Sequence, residues 1–227
     1  MGGRQRAPPD RPDPGCTTEE GIHAHMADEP KITADMVREL RERTGAGMMD
    51  CKRALEEADG DVDKAILLLR ERGLAAASKR SGREAREGLV SSYIHTGGRV
   101  GVLIEVNCET DFVARTEQFQ DLVRKLAVQV AGLSPRWVDV EQIPADELEA
   151  KKAELARDPA TAGKSAEIRD KIVDGQLKKW FKDVVLLDQP FRETEQSVRD
   201  LVTEAIATIG ENIQVRRFER YALGEDK

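Results

Sequence analysis

Cys108, His95, Lys164 and Phe112 are the residues of this chain whose types and neighbours suggest a specific job. Cys108 and His95 fall in neighbouring predicted strands, where a thiol and an imidazole could pair for nucleophilic attack. No third orienting group and no glycine-rich oxyanion loop accompanies them, so Cys108 reads better as a buried structural cysteine. Lys164 stands in Gly163-Lys164-Ser165, the tail of a phosphate-binding loop. Asp158 occupies the place of the required first glycine, however, and a charged helix precedes the segment instead of a strand. Phe112 lies in the polar loop Cys108-Glu109-Thr110-Asp111-Phe112-Val113, between a strand and a helix. From the residues alone it reads as a staple folding back onto the following helix, and Asp111 as a helix cap or Asx-turn residue. The three cysteines, Cys16, Cys51 and Cys108, are far apart, with no CxxC spacing and no disulfide framework. No catalytic residue, metal or cofactor is expected, and a reducing cytoplasm is the simplest compartment.

The bulk composition points the same way. The chain has 227 residues, enough for one or two domains and at least one sizeable core. Charged residues make up 35% and aromatics 4%, with 43 acidic against 36 basic side chains and a net charge of -7. An acidic chain gains little from neutralising phosphates, so a protein partner is favoured over direct contact with nucleic acid. The longest strongly apolar run, from Ala65 to Leu69, is far too short to span a bilayer.

These residues need elements to position them. Residues 1–30 hold Pro8, Pro9, Pro12, Pro14 and Pro30 with no apolar periodicity, and are expected to be a disordered extension. They contain no secretory h-region, and Met26 is a candidate for the true start. Thr33 is a predicted N-cap ahead of a helix with Met36, Val37 and Leu40 on one face and Gly45 as its stop. A second helix is expected from Met48 to Ala58. A third, capped by Asp61, is expected to stop at Gly73. Residues 75–88 read as a solvated linker, because Glu84 and Glu87 interleave with Lys79, Arg80, Arg83 and Arg86 and no aromatic is present for stacking.

Two strands follow, Leu89 to His95 and Val100 to Asn107, joined by Thr96-Gly97-Gly98-Arg99, whose glycine pair suggests a tight primed turn. Leu103 adds apolar weight opposite Val100, Val102, Ile104 and Val106, which predicts a central second strand. From Thr116 to Ala131, Phe119, Leu122, Val123, Leu126, Ala127 and Val130 recur at helical spacing. A charged helical hairpin is expected over Ala145–Arg157 and Ser165–Phe181, broken at Asp158-Pro159. Val184 to Leu187 could be a strand or packed loop. A last helix from Glu195 to Ile209 ends at Gly210, and a strand from Ile213 to Tyr221 closes the chain. The expected fold class is α+β: a three-helix bundle, then a small antiparallel sheet with helices on one face and an inserted hairpin.

Three stretches of the chain carry a family likeness. Leu40-Arg41-Glu42-Arg43-Thr44-Gly45-Ala46-Gly47-Met48-Met49-Asp50-Cys51-Lys52 closely resembles the amino-terminal signature of translation elongation factor Ts. Glu105-Val106-Asn107-Cys108-Glu109-Thr110-Asp111-Phe112-Val113 resembles the family's second signature, and Ile209-Gly210-Glu211-Asn212-Ile213 its helix-to-strand junction. All three occur in family order, and the likeness runs from about Lys31 to Leu223.

The resemblance implies a guanine-nucleotide exchange factor for elongation factor Tu, whose bundle is of ubiquitin-associated type and docks on the partner's G domain. It also implies that Thr110, Asp111, Phe112 and Val113 form the loop that displaces magnesium, with Phe112 as the intruding aromatic; this reverses the staple reading. Met48, Met49 and Lys52 are candidate partner contacts read from the residues themselves. The adjacent methionines cannot share a helix face, so one is expected to pack in the three-helix core and the other to stay free for a partner; Lys52 is either a rim contact or solvated. Ile209, Gly210 and Asn212 would meet the partner secondarily, beside plain roles as last core position, C-cap and turn. Longer members resemble one another in carrying two core subdomains in tandem, whereas one is found here, so the chain resembles the short form that pairs as homodimers in a 2:2 complex. The implied division is 1–30 extension, 31–74 docking module, 75–88 linker, 89–223 core with the hairpin at about 145–181, and 224–227 tail. A rival reading is a ubiquitin-associated-type adaptor without exchange activity, which would have no use for the Thr110–Val113 loop.

Overall fold

A computed structural model describes Gly2 and residues 32–225 apart from 162, 193 and 195. The expected extension over 1–30, Cys16, Met26 and Glu195 therefore lies, Gly2 aside, outside the described residues.

The chain opens with three helices: α1 (Ala34–Thr44), α2 (Met48–Glu57) and α3 (Val62–Arg80). Thr33 caps α1 by accepting from the Met36 amide at 3.2 Å, and Asp61 caps α3 by accepting from the Asp63 and Lys64 amides at 3.0 and 3.1 Å. Those bonds favour the charged form of Asp61 and lower its pKa, the Lys64 amide contributing most. Val37, Leu40, Cys51, Ala54, Leu55, Ala58 and Ala65 close into one buried cluster between the three helices.

The expected stop at Gly73 is not observed: α3 continues to Arg80, so residues 75–80 are helical. Two causes act together. The run Leu74-Ala75-Ala76-Ala77 consists of strong helix formers. Gly73 is also used for packing, since a Cβ placed there would sit 3.1 Å from the Cβ of Ala207. Ala77, one turn further on, is buried in the second and larger core.

That second core is built on a three-stranded antiparallel sheet of β1 (Glu87–Ile94), β2 (Val100–Cys108) and β3 (Gln214–Ala222), with β2 in the centre as expected. Leu103 faces Ser92 on one side and Glu219 on the other, and the β2–β3 register shifts between Glu105 and Val106. Gly88 cannot be replaced without moving the sheet: its φ is +138°, and a Cβ would lie 2.1 Å from the Val106 carbonyl oxygen. The β1–β2 turn differs from the primed type. His95 O accepts from Gly98 N at 2.9 Å, and positive φ occurs at Gly97 but not at Thr96, the sign pattern of a type II turn. Thr96 carries a β-branched side chain, which disfavours the positive φ that a primed turn needs at that position.

Helix α4 (Asp111–Ala114) is a single turn, and α5 (Glu117–Leu133) lies across the sheet. Phe119, Leu122, Val123, Leu126, Ala127 and Val130 of α5 are all buried, as the spacing predicts, with Val102, Ile104 and Val106 of β2. The hairpin forms as α6 (Ala145–Ala156) and α7 (Ala166–Val184). The apolar stretch after it forms a parallel bridge from Val185 to Trp137 and a 3-10 turn over Leu186–Asp188. Gln189 ties this region to α5: its amide donates to the Leu133 carbonyl at 3.3 Å and its oxygen accepts from Gln129 at 3.2 Å. Helix α8 (Val198–Ile209) starts in a capping box between Ser197 and Asp200 and ends at Gly210, φ +88°. The described residues thus form an α+β fold with eight α-helices and one small antiparallel sheet whose helices cover one face.

Candidate functional site

Three connections converge at one end of the sheet: the segment from α3 to β1, the loop from β2 into α4, and the turn from α8 to β3. The β2–α4 loop carries Phe112. Thr110 is the N-cap of α4, with its hydroxyl accepting from the Val113 amide at 3.4 Å. Asp111 pairs with Arg115 one turn on, at 2.8 Å. Val113 packs against the sheet core and Ala114 is buried in it. Phe112 does neither. It is 79% exposed, the highest value among the large hydrophobic side chains of the described residues, so it does not staple back onto α5. Fully burying a phenylalanine is worth about 1.5–3 kcal/mol, and this chain leaves that gain unclaimed.

The base of the loop is held by carboxylates. Glu211 accepts from the Glu109 amide at 3.1 Å, the Thr110 amide at 3.0 Å and the Thr110 hydroxyl at 2.6 Å. Glu109 answers in the opposite direction, accepting from the Asn212 amide at 2.6 Å and facing Arg83 at 3.5 Å. Asn212 is 1% exposed and donates its side-chain amide to the Arg83 carbonyl at 2.7 Å. The junction residues thus face inward: Ile209 packs on the core, Gly210 caps α8 by donating to the Ile206 carbonyl at 3.0 Å, and Asn212 is buried. Glu109 and Glu211 both lie inside the sequence stretches that stand out, but no spacing links residues about a hundred positions apart.

Cys108 lies beneath the loop. Its thiol donates to the Thr110 carbonyl at 3.1 Å. Burial, with Glu211 nearby, pushes its pKa up to about 11, so it stays a neutral thiol at physiological pH. The suspected partner is at the far end of the sheet. Cys108 pairs in register with Glu87, whereas Ile94, next to His95, pairs with Gly101. His95 Nδ1 instead meets the Tyr93 hydroxyl at 2.9 Å. No thiol–imidazole pair forms. Gly163-Lys164-Ser165 follows the 3-10 turn Pro159–Thr161 after α6, so the strand that a phosphate loop requires is replaced by helix.

On α2, Met48 and Met49 are both exposed, at 46% and 65%. The expected inward methionine is absent because α2 meets its core only from Cys51 onward, with Ala54 and Leu55. Lys52 is exposed and pairs with Glu56 at 3.6 Å. Among the described residues no cluster of His, Cys, Asp and Glu could hold a metal ion, and no helix is long and apolar enough to cross a membrane.

Comparison with known proteins points to one family. The family model for elongation factor Ts matches residues 75–195, just over half of the chain and including the whole β1–α5 segment with its loop. The elongation factor Ts of Carboxydothermus hydrogenoformans is 55% identical over 195 residues, covering 86% of this chain and 90% of that protein. That of Synechococcus elongatus is 59% identical over 198 residues, covering 86% and 89%. That of Fervidobacterium nodosum is 52% identical over 196 residues, covering 86% of this chain and all of that protein. Likeness at this level, along nearly the full length of the relatives and with the Phe112 loop inside the matched region, means that the chain belongs to the elongation factor Ts family.

Proposed function

We propose that this protein is a guanine-nucleotide exchange factor for elongation factor Tu in the cytoplasm, and that it expels GDP and magnesium by inserting the Thr110–Val113 loop into the partner. One observation carries the reading: in a member of this family, Phe112 stands 79% exposed on a loop whose base is fastened by Glu211. No covalent bond changes. The factor binds the empty partner more tightly than the nucleotide-filled one, and linkage makes the weakening of nucleotide reciprocal. A thousandfold loss of nucleotide affinity requires about 4 kcal/mol of differential binding. Burying Phe112 supplies about 1.5–3 kcal/mol of it. The rest comes from a second contact, for which we propose Met48, Met49 and Lys52 on the helical cluster, acting as a docking module of ubiquitin-associated type over 31–74. Soft, unbranched methionines suit such a contact. Ile209, Gly210 and Asn212 contribute by shaping the turn behind the loop.

The last helix of the module runs on to Arg80 and buries Ala77 in the sheet core, so residues 81–86 join the module to a core that begins at Glu87; the adaptor alternative leaves the Phe112 loop without a purpose. We also propose a homodimer giving a 2:2 complex. Its support is the uncovered face of the sheet, where Val90, Ile94, Leu103 and Tyr221 are exposed together. Sedimentation of the free factor should give twice the chain mass, and a monomer at micromolar concentration would remove this part of the reading.

The test of exchange is release of a fluorescent GDP from the cognate elongation factor Tu. Wild type should accelerate release strongly, and Phe112→Ala should lose most of the acceleration, about 1.5–3 kcal/mol or ten- to a hundredfold. Equal acceleration by the variant would sink the wedge. No acceleration by wild type would sink the exchange function.

A further inference from the structure

The amides of Glu109 and Thr110 lie between two regular systems. Strand β2 ends at Cys108 and helix α4 begins at Asp111. Neither the ladder nor the helix accepts from these amides, and buried backbone donors in that position need a partner from elsewhere. Glu211 accepts from both, and from the Thr110 hydroxyl as well. Thr110 is therefore engaged at its amide, its hydroxyl and its carbonyl, the last by the Cys108 thiol. Two residues on, Phe112 is the most exposed large apolar side chain among the described residues. A fully fastened base beneath an unfastened tip is the arrangement of a preorganised contact, in which ordering costs are met before binding.

The fastening is reciprocal. Glu109 accepts from the Asn212 amide, just as Glu211 accepts from Glu109 and Thr110. Both negative charges are compensated: Glu211 receives two backbone N–H groups, and Glu109 receives one and has Arg83 3.5 Å away. Hydrogen bonds to a charged acceptor are the stronger kind, so neutralising Glu211 should weaken the clamp even if the side chain keeps its shape.

Resting on the exchange reading above, we infer that Glu211, with Glu109 as its counterpart, is a positioning residue that holds the Phe112 turn in its inserting geometry before the partner arrives. Glu211 touches neither nucleotide nor partner in this role and acts only through the loop. Its loss leaves initial docking intact and lowers the rate at which the docked complex releases nucleotide.

The experiment measures release of fluorescent GDP from the cognate elongation factor Tu over a range of concentrations of the full-length factor. Wild type, Glu211→Ala, Glu211→Gln, Phe112→Ala and the double variant Phe112→Ala/Glu211→Ala are compared. Glu211→Ala should lower the saturating rate about tenfold, equivalent to about 1.4 kcal/mol, with the half-saturating concentration changed less than about twofold. Glu211→Gln, which keeps the shape and an acceptor, should fall between. In the Phe112→Ala background, Glu211→Ala should cost almost nothing more, because the tip it positions is already gone. An equal loss in both backgrounds, or a loss confined to half-saturation, would overturn the inference and leave Glu211 a general stabiliser.

Hydrogen exchange of the free factor provides a readout independent of the partner, and one that serves if Glu211→Ala does not fold. Glu211→Gln should speed exchange at the Glu109 and Thr110 amides while the β2 amides keep their protection; unchanged exchange at those two amides would overturn the clamp. A wild type that does not accelerate release overturns the exchange reading and the positioning role with it, whatever the amides do.

Discussion

The two hydrophobic clusters of this molecule use side chains of different size. The one between α1, α2 and α3 is assembled largely from alanines and a cysteine, with Val37, Leu40 and Leu55 as its largest buried members. The one beneath the sheet adds Phe119 and Phe191 to a long series of leucines, valines and isoleucines from β2, α5 and α8. Stabilisation scales with apolar area removed from water, so the first cluster holds its helices weakly and the second sets global stability. Where the molecule needs firmness, at the base of the Phe112 loop, it uses the second cluster and a polar clamp.

Truncating one large buried leucine in each cluster tests that contrast. Leu126→Ala, at 0% exposure in the sheet core, should cost about 3–5 kcal/mol of global stability and lower the denaturation midpoint of every probe together. Leu55→Ala, also at 0% exposure, should be felt locally, with amide protection lost over α1 and α2 while β2 and α5 retain theirs. If Leu55→Ala shifts the whole transition as far as Leu126→Ala, the two clusters are one cooperative unit and the contrast fails. A smaller effect sharpens it at the seam. Gly73→Leu should cost about 1–3 kcal/mol by overpacking against α8, since a Cβ at 73 already lies 3.1 Å from that of Ala207. Ala207→Gly should recover part of the loss, as expected for residues that share a contact; no recovery in denaturant unfolding would mean the strain is released elsewhere.

Much of this organisation was legible in the residues. The apolar spacing of Phe119 through Val130 identified the buried face of α5, and the double-sided apolar character of β2 put it in the centre of the sheet. Local rules failed where a distant residue decided the outcome. Gly73 looks like a helix stop, but Ala207, far along the chain, makes it a close-packing site inside α3. Both methionines of α2 are exposed because the start of that helix does not reach its core. The site divides in the same way: the loop and its aromatic stood out in the sequence, and the Glu109–Glu211 exchange did not. Its two halves are joined by the approach of β3 to β2, a tertiary event that no local pattern encodes. The exposure of Phe112 ran against the bare chemistry of the residue, which favoured folding back onto α5.

The unbroken course of α3 has a consequence for scale. At about 1.5 Å of rise per residue, its 19 residues make a rod of roughly 28 Å, whose first half lines the methionine-bearing cluster through Ala65 and whose last turns enter the sheet core through Ala77. A flexible tether over that span would let the two ends search independently. A continuous helix holds them in one register, so under the proposed exchange reading a partner would meet two footprints at a fixed separation. Register matters as much as length: adding one residue to α3 would turn one footprint about 100° against the other.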